Sequence, residues 1–238
     1  MFFHKYVIII KKVEDLMKKY LKYIVGILFY LLIDSFVSIV FTKLNIDYNN
    51  LSLLKKNILL IFLGIFKISC FIFIFYKELK TDYKIYKKEK GNYFYNYFHL
   101  YVLGVVLMGV SNTIISKYTN MKISENEDTI RQLIKTMPIY ISFSTIIYAP
   151  FVEELIYRKC FRGLISNKYL FIILSGLVFG LMHVISGNQN INDILMGIPY
   201  IIIGLDFAYI YYKTNNIFAT MQFHFLHNLL LFMIQIIL

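Results

Sequence analysis

The stretch YIVGILFYLLIDSFVSIVFT, residues 23–42, carries a single charged residue, Asp34. A helix needs about 20 mainly apolar residues to cross the hydrocarbon core of a bilayer. Comparable stretches recur along the chain, so we expect seven spans, at 23–42, 57–76, 96–116, 138–157, 169–186, 193–212 and 217–237. The sequence therefore predicts an all-α, polytopic transmembrane helix bundle that forms a single membrane domain over residues 1–238.

The overall composition agrees with a membrane protein. Of the 238 residues, 58% are hydrophobic and 16% are charged, whereas soluble domains carry about 25% charged residues. Residues 1–20 mix lysines with apolar residues and are typical of a short interfacial amphipathic segment. Cys70 and Cys160 form no CxxC pair, so we expect no disulfide framework.

The net charge of +11 is explained by lysines between the apolar spans. Cytoplasmic loops of membrane proteins collect Lys and Arg. With the predicted spans, 17 of the 25 basic residues fall on the side of the N-terminus and 7 on the other side, with Lys67 inside the second span. We therefore expect a cytoplasmic N-terminus and no nucleic-acid partner, since no basic face lies on a soluble fold.

Charged and polar groups at membrane depth are candidates for function, because they are costly to place in lipid. Asp34 and Lys67 are expected to pair with each other, and Asp206 to anchor the bundle or line a cavity. At the end of the fourth span, Glu154 and Arg158 are four residues apart and share a helix face. Glu153 points about 100° away from Glu154 in an α-helix, which leaves it free for chemistry.

Histidines lie in two later spans. His183 is in the fifth span, and His224 and Asn228 share a face of the seventh, with His227 close to that face. Each group alone is also compatible with interhelical hydrogen bonding. Their co-occurrence favours a site in which a water between Glu153 and His183 attacks a peptide carbonyl. His224 and Asn228 would then stabilise the oxyanion.

The depths of Glu153 and His183 in their predicted spans add a requirement. Glu153 and His183 meet only if the fourth helix runs past Arg158, if the fifth span is tilted, or both. We expect the fourth helix to continue toward Gly163.

The motifs EELIYR (residues 153–158), FGLMH (179–183) and HFLHN (224–228) resemble the EExxxR, FxxxH and HxxxN pattern of the CPBP family of intramembrane proteases. This family (CAAX processing and bacteriocin processing) is also called the Abi or type II CAAX prenyl endopeptidase family. The resemblance covers residues 138–238, the motif-bearing catalytic core. It implies an endopeptidase whose cavity opens mainly to the cytoplasm.

The resemblance also assigns roles to residues. It makes Glu153 the base, His183 its partner, and His224 and Asn228 the oxyanion donors, with Glu154, Arg158 and Phe179 in support. The substrate would be a peptide or protein, handled in bacteriocin self-immunity or in peptide processing. The Ile-, Asn- and Tyr-rich composition is typical of a low-GC bacterium, so we expect an integral protein of the bacterial plasma membrane, in contact with lipid, and no prenyl substrate.

The sequence leaves the cofactor open. His183, His224 and Glu153 could supply the three protein ligands of a catalytic zinc ion, although HExxH is absent. The asparagine and the second histidine favour metal-independent chemistry.

Two other functions remain open from sequence, and so does the oligomeric state. A transporter could use Glu153, Asp206 and the histidines as a proton or cation relay. A non-catalytic immunity or scaffold protein could keep the motifs and act by binding.

Overall fold

The structure, a computed structural model, describes residues 2–120, 123–185 and 191–237, without the side chains of residues 2–10, 12, 15, 16, 19 and 90. The described part of the chain is helical and holds no strand. The helices are α1 (Phe2–Lys43), α2 (Leu53–Ile74), α3 (Tyr76–Thr119), α4 (Glu125–Thr136), α5 (Pro138–Leu164), α6 (Lys168–Met182), α7 (Ile191–Leu195), α8 (Ile198–Thr214) and α9 (Ile217–Ile237), with a short 3₁₀ turn at Tyr48–Asn50.

The predicted bundle of transmembrane helices is confirmed. Six segments of the described chain are long and apolar enough to cross a membrane: Tyr20–Lys43, Leu53–Ile74, Gly91–Thr119, Pro138–Leu164, Ile191–Thr214 and Ile217–Ile237. The fifth predicted span is the shorter α6, whose 15 residues extend about 22 Å, less than the hydrocarbon thickness of about 30 Å. Residue 186, where this span was expected to end, lies outside the described residues.

Helix α1 is continuous from Phe2 to Lys43. The N-terminal segment and the first span are therefore one helix. The apolar side chains that suggested an amphipathic character, Phe2, Phe3 and 7–10, lie outside the described side chains.

Helix α5 ends beyond the predicted fourth span. It continues through Arg158 and Gly163 to Leu164, which confirms the extension that the depth of Glu153 required. Two stretches of α5 are π-helical, Phe143–Tyr148 and Glu154–Cys160. Such stretches are rare and occur frequently at functional sites.

Helices α6 and α8 pack backbone to backbone through glycines. A Cβ atom on Gly180 would lie 2.5 Å from the backbone nitrogen of Ile201, and one on Gly176 would lie 2.8 Å from that of Leu205. Gly176 and Gly180 form a GxxxG pattern, which lets membrane helices approach closely. The contact fixes α6, and with it His183, against the start of α8.

Charged pairs join helices at several points. Asp34 of α1 and Lys67 of α2 form the predicted ion pair. Lys159 of α5 pairs with Asp82 of α3, and the Asp82 backbone carbonyl accepts a bond from Asn216 Nδ2, 2.7 Å away. The Asp34–Lys67 pair thus joins α1 to α2, and the Asp82 contacts hold α3 to α5 and to the start of α9.

Candidate active site

A single cavity of about 550 Å³ receives the motif residues. Glu153 of α5, His183 directly after α6, and His224 and Asn228 of α9 all line it. The structure therefore brings together the four residues that the sequence proposed as catalytic. Asp206, which was considered for the cavity lining, is not among the lining residues.

The two glutamates of the first motif lie on either side of one imidazole. His224 Nδ1 is 2.9 Å from Glu154 Oε1, and His224 Nε2 is 3.8 Å from Glu153 Oε2. Since a carboxylate only accepts hydrogen bonds, Nδ1–H donates to Glu154. Regular α-helical spacing predicted that Glu153 points away from Glu154 and its partners. In the structure both carboxylates instead face His224. The chain changes from α-helix to π-helix between these residues, and the wider turn reduces the angle between them.

Arg158 fixes Glu154 from the other side. Its Nε donates to Glu154 Oε2 over 3.2 Å, which confirms the predicted pair, and its Nη1 donates to Ser175 Oγ over 2.6 Å. The guanidinium lies over the ring of Phe179, 4.9 Å from its centroid. Glu154 and Arg158 have no exposed side-chain surface. The result is a buried chain from Ser175 through Arg158 and Glu154 to the His224 ring.

Glu153 has one oxygen without a partner. Its Oε2 is buried and makes no hydrogen bond to the described residues. Buried polar atoms in proteins are satisfied by protein groups or ordered water. The carboxylate borders the cavity, and 18% of the Glu153 side-chain surface stays accessible, so the residue can contact a water molecule there.

His183 is held in a fixed orientation. Its Nδ1 lies 2.8 Å from the Phe179 carbonyl oxygen, so Nδ1–H donates and Nε2 of the neutral ring is an acceptor. The ring packs on Phe179 at 4.6 Å and stacks on Tyr200 at 4.7 Å between centroids. The Tyr200 hydroxyl lies 2.9 Å from Ser124 Oγ, which connects the site to the start of α4. No sequence motif marked Tyr200 or Ser124.

Asn228 is oriented by a break in the α5 hydrogen-bond pattern. Its Nδ2 donates to the Thr145 carbonyl over 2.8 Å. In the preceding π-helical stretch the Ala149 amide bonds Ser144, so the next amide would bond Thr145, but residue 150 is proline and has no N–H. The Thr145 carbonyl is free for Asn228, whose second amide hydrogen remains available.

Both α9 imidazoles reach the cavity. His227 lines it together with His224, and its ring meets Tyr101 and Phe207 edge-on at 6.2 Å. His224 alone contacts the two glutamates. From sequence, the four-residue spacing between His224 and Asn228 favours His224 over His227 as the imidazole that faces the site. This geometry agrees with that prediction.

The donor set does not fit a metal ion. Across residues 2–120, 123–185 and 191–237, no group of three His, Cys, Asp or Glu side chains is arranged to hold one. His183, His224 and Glu153 are among these described residues, and they are not gathered as a ligand group.

The cavity lies toward one end of the bundle. Its lining includes residues of α4, the beginnings of α5 and α8, and the last turns of α9. Chain direction places this end, called the cavity end below, opposite the N-terminus of α1. A cytoplasmic N-terminus and a cavity that opens to the cytoplasm were both expected, and the two expectations are incompatible in this structure.

The fold and the site define the class of protein. It is a polytopic helical membrane protein with a cavity lined by glutamate, histidine and asparagine side chains. Comparison with known proteins confirms the family resemblance. Residues 135–230 match the family model described as Type II CAAX prenyl endopeptidase Rce1-like, a region that contains all three motifs. No solved structure matches the chain.

Two curated bacterial proteins are similar to the chain. The "Putative membrane peptidase YdiL" of Bacillus subtilis is 28% identical over 116 residues, which cover 48% of this chain and 44% of that protein. The UPF0177 protein YvdC of Lactococcus lactis is 29% identical over 143 residues, which cover 59% of this chain and 51% of that protein. The chain thus spans about half the length of these curated relatives.

Proposed function

We propose that this chain is an intramembrane endopeptidase of the CPBP type that cleaves peptide bonds with a water activated by Glu153 and His183. The observation that carries the proposal is the partly accessible Glu153 carboxylate, which borders a cavity that His183, His224 and Asn228 also line. The match to the Rce1-like family model and the peptidase name of one relative support it. We infer that residues 1–238 form one membrane domain and that residues 138–238 form its catalytic core.

The proposed reaction gives each of these groups a role. Glu153 takes a proton from the bound water while the water oxygen bonds to the peptide carbonyl carbon. The acceptor Nε2 of His183 would orient the second hydrogen of the same water. When the tetrahedral intermediate collapses, the carbon–nitrogen bond breaks and the proton held by Glu153 passes to the leaving amine.

The negative charge that develops on the carbonyl oxygen needs hydrogen-bond donors. Asn228 can offer its second amide hydrogen, since the first is bonded to Thr145. A doubly protonated His224 can offer Nε2–H, because its Nδ1–H is held by Glu154. Glu154 and Arg158 act in this scheme as positioning residues.

The substrate class is a peptide or protein segment at the membrane. We infer bacteriocin self-immunity or peptide processing as the setting from the family resemblance, and we assign no prenyl group to the substrate. No step is assigned to a metal ion, because the donor set does not gather one.

The test is cleavage of a fluorogenic peptide library by purified protein in liposomes. Glu153→Gln keeps the size of the side chain and removes the base, so we expect turnover to fall by a factor of about 10²–10⁴. His183→Ala should also lower turnover strongly. The matched control is Glu89→Gln, on an exposed part of α3 away from the cavity.

The outcomes separate the rival functions. Cleavage by wild type that both cavity variants retain would contradict the proposed chemistry. A protective phenotype in cells that both variants retain would instead favour the binding function of an immunity or scaffold protein.

A further inference from the structure

The cavity end of the bundle is defined by the connections that border it. Ser124, Asn126 and Thr129 line the cavity from the start of α4, Tyr200 from the start of α8, and Gln235 from the last turn of α9. These residues lie at the end where α3 and α6 finish and where α5 and α8 begin. The polar side chains at this end mark the mouth, whereas Ile203 and Phe207 lie further along α8, toward the apolar interior.

The opposite end carries most of the basic residues. Helix α3 extends on this side from Tyr76 to the start of its span at Gly91, and the lysines Lys77, Lys80, Lys84, Lys87 and Lys88 on this extension are exposed. Within the described chain, the beginning of α1 and the end of α5 add further Lys and Arg at this end.

These two observations fix a direction across the membrane. Lys- and Arg-rich segments near span ends stay in the cytoplasm, where anionic lipid headgroups also attract them. The basic end is therefore cytoplasmic, and the cavity end faces away from the cytoplasm.

We propose that the cavity opens on the extracytoplasmic face of the membrane and receives peptide segments presented from that side. The word substrate rests here on the proposed function, whereas the direction of the opening rests only on helix order and charge. The class of substrate becomes exported peptides and the extracytoplasmic parts of membrane-anchored proteins. This direction is opposite to the one that the family resemblance implied.

Thiol accessibility in intact cells tests the direction without any need for catalysis. Thr129→Cys places a thiol at the exposed mouth, and Lys84→Cys places one on the basic end. The unsubstituted chain is the background control, because Cys160 is buried and Cys70 lies half-buried within α2. A membrane-impermeant maleimide should label Thr129→Cys in intact cells and Lys84→Cys only after permeabilisation.

The reverse labelling pattern would overturn the proposal. If a cysteine variant does not accumulate, reporter fusions after the last residue provide the same information, since α9 ends on the cavity side. Alkaline phosphatase, which is active only outside the cytoplasm, should then be active, and a cytoplasmic fluorescent reporter should be dark. The opposite result contradicts the proposal.

The enzymatic test separates this idea from the proposed function. A peptide substrate that does not cross membranes, added outside intact cells, should be cleaved by wild type and not by Glu153→Gln. External labelling at residue 129 without any cleavage in liposomes would reject the peptidase and keep the direction. Cleavage in liposomes together with labelling of intact cells at residue 84 alone would keep the peptidase and reject the extracytoplasmic opening.

Discussion

Arg158 is the residue whose loss should be most costly to the fold. It neutralises Glu154 in a fully buried pair and donates to Ser175. Removing one partner of a buried ion pair leaves an uncompensated charge, which costs about 3–5 kcal/mol. We expect Arg158→Met to lower the free energy of unfolding by this amount, measured by denaturant titration in mixed micelles.

The control for Arg158 is a partly exposed pair of the same spacing. Arg131 and Glu127 are 2.6 Å apart on α4 and are both partly accessible, and pairs at the protein surface contribute about 1 kcal/mol or less. Arg131→Met should therefore change stability little. Equal losses in the two variants would mean that burial of the Glu154 pair is not the decisive factor.

Asn228 should affect turnover more than binding. Replacing it by Ala removes the donor proposed for the oxyanion and leaves the Thr145 carbonyl without its partner. Loss of one such donor lowers kcat by a factor of about 10²–10³, with little change in KM, and Asn228→Asp should behave alike because a carboxylate cannot donate. Asn112→Ala, at another asparagine of the cavity wall, is the matched control in peptide cleavage. A comparable loss in both would reject a specific oxyanion role.

For single residues, the sequence predicted that Glu153, His183, His224 and Asn228 meet at one site. The reason is that polar groups in membrane helices must face the protein interior. It did not predict the Thr145 carbonyl or the Tyr200 ring as partners. Those contacts depend on the rotation of α5 and α8, and helical rotation is set by packing across the bundle.

Among the helices, α6 and α8 form the contact that is most sensitive to volume. The Cβ of Gly180→Ala would lie 2.5 Å from the Ile201 nitrogen and 2.7 Å from its Cα, so the helices must separate. Overpacking of this kind costs about 1–3 kcal/mol. His183 follows three residues later, and we expect both the unfolding free energy and the cleavage rate to fall.

Gly91→Ala is the control for this contact, since no atom lies within 4 Å of its added Cβ. Alanine is the better helix former by about 1 kcal/mol, so this variant should be as stable as wild type or slightly more stable. A Gly180→Ala protein with wild-type stability and turnover would show that α6 and α8 can separate freely.

Hydropathy predicted the existence of the membrane helices but not their full extent. Helix α3 runs for 44 residues, far beyond its apolar part, because its lysine-rich beginning also consists of residues compatible with a helix in water. The π-helical stretches of α5 left no signal in the hydrophobic pattern. The GLVFG pattern at residues 176–180 was a readable signal for the close α6–α8 contact.

Across the whole molecule, the position of Asp206 distinguishes a peptidase from a transporter. A proton relay would need ionisable groups in succession across the membrane, yet Asp206 lies off the cavity. It packs against Gly104 of α3, and its Oδ2 is buried without a partner among the described residues. We expect Asp206→Asn to keep the wild-type cleavage rate, whereas Glu153→Gln loses it.

Glu153→Gln and Asp206→Asn also test proton transport directly, in liposomes that contain a pH-sensitive dye. Because the acids of α5 and α8 do not border a common path, wild-type protein should not dissipate an imposed pH gradient faster than empty liposomes. Proton flux in wild type that disappears in both Glu153→Gln and Asp206→Asn, without peptide cleavage in any sample, would establish the relay. The buried carboxylates would then serve conduction, and the water-activating role of Glu153 would have to be given up.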